Sequence, residues 1–419
     1  IAVFTYYTAG QFMELDLTGY ERRTPSPDRV VSAALYATNT APYDNGDGTV
    51  IVTDPELIEA VVDLHRTIVD EQAIQENAQM GSDYQRVAVS GGQADIQTAG
   101  SSRVSISYTL IGGDVMQHMP QVDAVRRGDG FDYEPVFRTL APRIRAADLA
   151  VVNLETTLTR RSRYTGYPLF RSPAALADAL RDAGVDVAVL ANNHCCDNGA
   201  EGIRTSVEEL DRCGIRHTGA FSDSSDYKKN NPLYLTHCGI RLAIVNYTYG
   251  TNGMPVPEGT VVNLIDTVRM AADLVAARAS GVDFIVACVH WGDEYQRREN
   301  AAQRSLAAFL RRHGTDVVVG SHPHVIQPWV ADSSHVVLYS LGNLVSGQRR
   351  RYTDGGLAAT VEAVRHPEGR MTYRLETTPV WVSVPGYRIL TPEAADTMTL
   401  PAAYGIFRAD LDALPGNGL

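Results

Sequence analysis

From Arg103 onward the chain alternates short apolar runs with stretches of helical period. The runs are SISYTLIGG (105–113), DLAVVNLE (148–155), DVAVLANNH (186–194), RLAIVNYTY (241–249), DFIVACVHWG (283–292), DVVVGSHPH (316–324) and HVVLYSLGN (335–343). Each is long enough for one strand buried on both faces and too short for a helix that fills a core. Between them the spacing predicts helices over 172–183, 199–213, 265–280 and 301–313, the last with Ala302, Leu306, Phe309 and Leu310 on one side. Strands alternating with helices predict an α/β core, with helices packed on a mostly parallel central sheet.

The first hundred residues have a different texture. Strand-like runs at 1–7 and 49–53 flank a polar stretch rich in Pro, Asn and Gly. One helix is expected next: Thr53 or Asp54 caps it, Pro55 suits its first turn, and Leu57, Val61, Leu64 and Ile68 form one apolar stripe. His65 lies beside that stripe as a surface or core-edge residue. The Gly/Ser/Gln/Ala-rich segment 77–102 reads as a linker with at most one short strand. The expected organisation is therefore a smaller N-terminal α+β region over 1–102, a main domain over 103–385 and a C-terminal extension over 386–419. No internal repeat is present, and no chemistry is visible before residue 103.

Composition narrows the class. With 419 residues, 44% hydrophobic and 21% charged, the chain has the make-up of a globular protein of two or three structural units. No stretch of about eighteen apolar residues exists to span a bilayer. A net charge of −12 argues against nucleic acid as a partner, since phosphates require a broad basic face. An anionic substrate would need a local positive site, either bound metal ions or the run Arg349, Arg350, Arg351, whose plainer reading is a solvated loop. Five cysteines without CxxC spacing indicate neither a disulfide framework nor a structural zinc site. The chain begins at Ile1 without a basic-then-apolar leader, which says nothing about its location.

The candidate chemistry lies where the runs end. Asp114, Glu155, Asn193, His194, His290, His322 and His324 each follow an apolar run and never precede one. In an open parallel sheet the carboxyl ends of the strands form the edge where ligands bind. Loops alone require only Gly, Ser and Asn, so carboxylates, a carboxamide and imidazoles at five strand ends call for another cause. A pair of divalent ions needs a bridging carboxylate, several neutral imidazoles and further oxygen donors. Glu155 is the candidate bridge and Asp114 a terminal carboxylate. Asn193, His290, His322 and His324 are divided between the ions, whose identity (Mn, Fe or Zn) is not readable. Pro323 is expected to hold an extended backbone that directs its flanking histidines to different metals.

His194 is placed as a general acid with Asp197 as its orienting partner. His118 either joins the rim or caps a helix. Glu294, in HWGDEY, is either a support for the ligands or a surface charge. Gly112 and Gly113 are expected to serve a tight turn, and neither GxGxxG nor GxxxxGK[ST] follows the first core strand, which disfavours a nucleotide-binding fold.

Read in order, GGDVMQH, NLE, ANNHCCDNG, HWGDEY, GSHPHVIQP and YSLGN resemble the motifs of the poly-γ-glutamate capsule-synthesis (CapA-like) family, related to the calcineurin-like metallophosphoesterases. The resemblance covers about 240 residues of the chain. It implies a metallophosphoesterase-like layered α/β fold, with Asp114, Glu155, Asn193, His194, His290, His322 and His324 on the metal and catalytic positions. Asn343 matches a family motif of less defined role. It further implies two divalent metal ions and hydrolysis of a phosphoester or an acyl or amide bond. The expected setting is extracytoplasmic and cell-surface associated, with an anionic polymer or phosphoester substrate and membrane capsule-synthesis proteins as partners. The alternative is a non-catalytic component that uses the metal rim to bind an anionic surface polymer. Two departures stand out: Met116 replaces the histidine that classical metallophosphoesterases place two residues after the aspartate, and Cys195 and Cys196 occupy positions that are usually small or apolar. A packed turn and a redox or soft-metal role are the two readings of the cysteine pair.

Overall fold

A computed structural model describes residues 105–414, together with the backbone of four short strands at 43–44, 49–52, 86–90 and 93–97. The helix expected after Thr53 and the strand-like run at 1–7 lie outside the described residues. The chain divides into two compact units, Ile1–Ile106 with Val364–Arg370, and Ser107–Ala363 with Met371–Leu419.

In the first unit the four short strands pair antiparallel in the order 43–44, 49–52, 93–97, 86–90. Segment 77–102 thus carries two strands where at most one was expected. RVAVS and QADIQ are separated by Gly91 and Gly92, a hairpin signal that the local Gly/Ser/Gln richness hides.

The second unit builds two large sheets, alongside small two-stranded pairs. One holds β1 (Ser105–Val115), β2 (Leu149–Leu154), β3 (Val187–Val189) and β4 (Arg216–Thr218). The other holds β5 (Leu233–His237), β6 (Ile240–Thr248), β7 (Phe284–His290), β8 (Val317–Ser321), β9 (Trp329–Asp332) and β10 (His335–Leu338). The chain then returns to the first sheet with β11 (Asn343–Val345), β12 (Gly355–Arg365), β13 (Met371–Ser383) and β14 (Arg388–Leu390).

The first sheet runs β4-β3-β2-β1-β12-β13-β14, with β11 also on β1, and the second runs β5-β6-β7-β8-β10-β9. Pairing is parallel from β4 to β1, between β1 and β11, and from β6 to β10. The expected α/β class holds, with its parallel strands shared between two sheets. The segment expected as a C-terminal extension supplies β14 and a helix, Ala402–Asp412, whose Phe407 and Leu411 are buried.

Alternation along each strand explains the layering, because successive side chains leave a strand on opposite faces. Leu149 and Val151 of β2 join Phe284, Val286, Val317 and Val319 of the second sheet in one inner cluster. Ala150 and Val152 turn the other way, onto α1 (Ala175–Ala183) and α2 (Gly199–Arg212) through Leu176, Leu180, Ile203 and Val207. Ile285, Ala287 and Val318 do the same against α3 (Thr267–Ala279) and α4 (Ala301–Arg312) through Met270, Leu274 and Leu310. The order of layers is helix, sheet, sheet, helix. Burial on both faces is why these runs are continuously apolar, and each large side chain so buried contributes about 1.5–3 kcal/mol.

Polar groups tie the sheets together where the strands end. The Asn246 carboxamide of β6 accepts a hydrogen bond from the Ala191 amide, just beyond β3, at 2.6 Å, and donates to the Cys288 carbonyl of β7 at 3.1 Å. Gly219 makes room for this contact: at φ +99°, a Cβ there would lie 1.9 Å from the Asn246 oxygen. Gly112 and Gly113 lie inside β1 and serve no turn. A Cβ on Gly113 would stand 2.1 Å from the Gly342 carbonyl and one on Gly112 2.7 Å from the Leu344 side chain, so these glycines permit close approach of the neighbouring segment.

Candidate functional site

Strand register assembles the site. Asp114 sits opposite Asn153 of β2 and Asn343 of β11, while His290, the last residue of β7, sits between Thr248 and Ser321. Residues from both sheets thereby meet at the carboxyl ends of the parallel strands. Asp114, Glu155 and His290 have no measurable exposure, and Asn193, His194, Asp197, His322 and His324 are buried.

The contacts form one continuous network. Asp114 accepts from the Asn153 amide at 2.8 Å through Oδ1, and its Oδ2 lies 3.0 Å from His324 Nδ1. Asn193 Oδ1 is 2.9 Å from His290 Nε2, and His290 Nδ1 is 2.9 Å from the Ser321 hydroxyl. Glu155 Oε1 stands 3.5 Å from His290 Nε2 and 3.8 Å from His324 Nε2. Yet neither Glu155 oxygen has a hydrogen-bond partner, nor does His322 Nδ1. Buried polar atoms without partners are costly, so such groups call for a missing cation or water.

Electrostatics point the same way. Burial, then the Asp114 charge, push the Glu155 carboxyl well above its ordinary range. Burial would also raise Asp114, but the His324 hydrogen bond and charge hold it below its usual value. Burial lowers His290 to about 3 and His322 to about 2, so both imidazoles are neutral, the form that binds metal. His324 goes the other way, to about 9, because Glu155 and Asp114 outweigh its burial. Two carboxyl groups crowded among buried imidazoles, with both Glu155 oxygens and His322 Nδ1 lacking partners, form a donor set suited to a divalent cation.

Donor atoms group into triads within 4.8 Å: Glu155 with His290 and His322, Asp114 with Glu155 and His324, and the exposed Glu294 with His322 and His324. Glu155 belongs to the first two. Glu294 is therefore at the mouth of the site.

His194 and Asp197 stand beside this cluster, with His194 Nδ1 2.8 Å from Asp197 Oδ2. The same oxygen accepts from the Phe170 amide at 2.6 Å, and the Phe170 ring meets the His194 ring edge-on at 4.6 Å. His118 is the N-cap of the helix Met119–Val125, where its amide donates to the Gln121 side chain at 2.7 Å. Its ring contacts Phe170 at 5.0 Å, and among the described residues it belongs to no donor triad. The Asn343 side chain is buried and donates to the Thr353 carbonyl at 2.8 Å, fixing the loop after β11. Met116 is buried, and Cys195 and Cys196 form no disulfide, with 3.8 Å between their sulfurs in the outer apolar cluster.

One backbone expectation fails. His322 and His324 have φ of +97° and +57°, not the extended conformation expected around Pro323. Positive φ in a bulky residue is strained and persists where surrounding contacts over-determine it. Sequence reading also missed Asn153, Asn192, Ser321 and Tyr249. Asn192 donates to the Leu154 carbonyl at 2.8 Å and to Asn153 Oδ1 at 3.2 Å, locking the turn that carries Asn193 and His194. Its only sequence signal was the doubled carboxamide of ANNH. Tyr249, 47% exposed, packs its ring 4.6 Å from that of His322 at the mouth.

Among known proteins, the chain is 28% identical over 290 residues to the PGA biosynthesis protein CapA of Bacillus subtilis (strain 168), covering 68% of this chain and 73% of that one. The capsule biosynthesis protein CapA of Bacillus anthracis is 27% identical over 253 residues, and there the match spans 58% of this chain and 60% of the relative. Among solved structures, a phosphatase from Mycoplasma pneumoniae aligns with TM-score 0.44 and 14% identity, over 68% of this chain and 96% of that chain. The NAD nucleotidase of Haemophilus influenzae aligns with TM-score 0.41 and 13% identity, over 74% of this chain and 67% of that chain. The family model described as bacterial capsule synthesis protein PGA_cap matches residues 109–348, a span that contains every residue of the network above. The chain belongs to this bacterial capsule synthesis family.

Proposed function

We propose that this protein is a metal-dependent hydrolase of capsule or poly-γ-glutamate synthesis or export, acting at the cell envelope on a phosphoester or an acyl or amide bond. The observation that carries the reading is Glu155, buried without a hydrogen bond on either oxygen and common to two donor triads. A carboxylate so placed suits a bridge between two divalent cations, with Asp114 and His324 toward one and His290 and His322 toward the other. The Asn193 carbonyl oxygen, beside His290, completes the donor set. Such a pair of cations supplies Lewis acidity at the reacting oxygen and activates water near neutral pH.

The chain's own groups do the rest. Asp197 engages His194 Nδ1 and leaves Nε2 as the nitrogen that hands a proton to the leaving group. Phe170 fixes this pair by its amide and its ring. Ser321 and Asn153 hold the His290 ring, a form of support that typically matters 10–100-fold, in order of magnitude, for metal affinity. No helix of the described residues is long and apolar enough to cross a membrane.

The test is metal analysis of protein purified with manganese, followed by assays on generic phosphodiesters and γ-glutamyl peptides. Two ions per chain and turnover are expected, with His194→Ala keeping its metal and losing turnover by about 10²–10⁴-fold. A wild-type chain that retains no metal after supplementation would overturn the proposal. Retained metal, no turnover on any substrate and polymer binding unchanged in His194→Ala would instead establish the binding component.

A further inference from the structure

The three consecutive arginines that follow β11 have three different fates. Arg351 is paired with Asp410 at 2.8 Å. Arg349 spreads over the Tyr387 ring, 5.0 Å from its centroid. Arg350 is exposed and, among the described residues, forms no ion pair; its guanidinium lies over the Tyr295 ring, 4.3 Å from the centroid. Tyr295 is itself fixed to the site: its amide donates to the Pro323 carbonyl at 2.8 Å, and its ring centroid is 6.1 Å from that of His324. Both Tyr295 and Tyr352, the residue that follows the arginines, have positive φ, +66° and +75°, as do His322 and His324. Strain of this kind concentrates where a surface is shaped for a ligand.

We infer that Arg350, stacked on Tyr295, is an oxyanion-binding subsite beside the candidate metal centre, and that it takes a carboxylate or phosphate group of the substrate adjacent to the reacting bond. The chemistry fits the guanidinium in particular. Stacking on a ring fixes its plane, and the exposed edge keeps its parallel N–H donors free for a two-point contact with an oxyanion. The chain carries a net charge of −12, so an anionic substrate is repelled by most of the surface and needs a local cation to hold it. Glu294, next to Tyr295, does not pair with Arg350; its carboxylate groups with His322 and His324. The guanidinium therefore remains available to a ligand.

The subsite deepens the hydrolase reading, because it is that reading's substrate it would hold, but its test does not depend on turnover. Binding of inorganic phosphate and of glutarate is measured by titration calorimetry on metal-loaded and on EDTA-treated protein. The variants are Arg350→Ala, Arg350→Lys and Tyr295→Leu, with Arg374→Ala, an exposed arginine of β13, as control. The expected result is a loss of about 10- to 100-fold in affinity for at least one anion in Arg350→Ala, the range of a charge-assisted two-point contact. A smaller loss is expected in Arg350→Lys and Tyr295→Leu, and the Arg350 dependence persists after EDTA. Which anion is lost assigns the group as phosphate or carboxylate. A wild-type chain that binds neither anion, or an Arg350→Ala loss no larger than that of Arg374→Ala, overturns the inference. Metal content of the same preparations tests the hydrolase reading separately.

Discussion

The two sheets bring different chemistry to their shared edge. The first contributes the acids and the proton-transfer pair, Asp114, Glu155, Asn193, His194 and Asp197, whereas the second contributes the imidazoles, His290, His322 and His324. The Glu155 side chain has no hydrogen bond, and the imidazoles nearest to it, His290 and His324, belong to the other half. Neither half is a metal site alone. The donor set exists only where β1 to β3 face β6 to β8, so the packing that makes the inner apolar cluster also makes the chemistry.

The sharpest way to break that comparison is Glu155→Gln, which keeps the shape but removes the shared carboxylate. On the proposed two-metal reading, metal content is expected to fall from two ions per chain to none, whereas His290→Gln, which touches one triad, leaves about one. Equal losses in the two variants would mean that Glu155 is not shared.

Next in size is the contact that holds the halves together. Gly219→Ala drives a methyl into the Asn246 carboxamide at a φ that L-residues avoid, and is expected to cost about 3 kcal/mol, read as a lower urea midpoint. An unchanged midpoint would show that the sheets do not rely on this tie.

The pH dependence of the metal-free chain separates Glu155 from His290 by sign. Glu155 binds its proton more tightly folded than unfolded, so its contribution is intact below about 4.5 and is lost as pH rises. His290 is the opposite: its folded value of about 3 lies below the ordinary 6.5, so stability falls as pH drops through that window. Urea midpoints in EDTA are expected to lose part of the alkaline slope in Glu155→Gln, the rest belonging to His324, and part of the acid slope in His290→Gln. The smallest effect is Ser321→Ala, which frees one side of the His290 ring and should weaken metal binding about tenfold without altering stoichiometry.

Much of this was legible beforehand, for a physical reason. Apolar runs buried on both faces mark their own ends, and a histidine or carboxylate just past such a run stands out, as His290 does after FIVACV. What the sequence hid depends on register. Asn153 lies inside β2 like any strand residue and becomes part of the site only because β2 pairs with β1 opposite Asp114. Asn246 is likewise ordinary within β6 until the second sheet lies against the first. The division of the parallel strands into two sheets has no local signature, because both kinds of face bury the same Val, Ile and Ala. The conformation around Pro323 was misjudged because local preference favours extension, and contacts to Asp114 and the neighbouring rings override it.

The tie between Asn246 and Ala191 has a further consequence. Because it spans the seam between carboxylate and imidazole donors, a slight parting of the sheets would separate the candidate donors while every strand stayed intact. If the proposed metal is loaded, its release on warming should therefore run ahead of the loss of secondary structure and gauge how well the seam is closed.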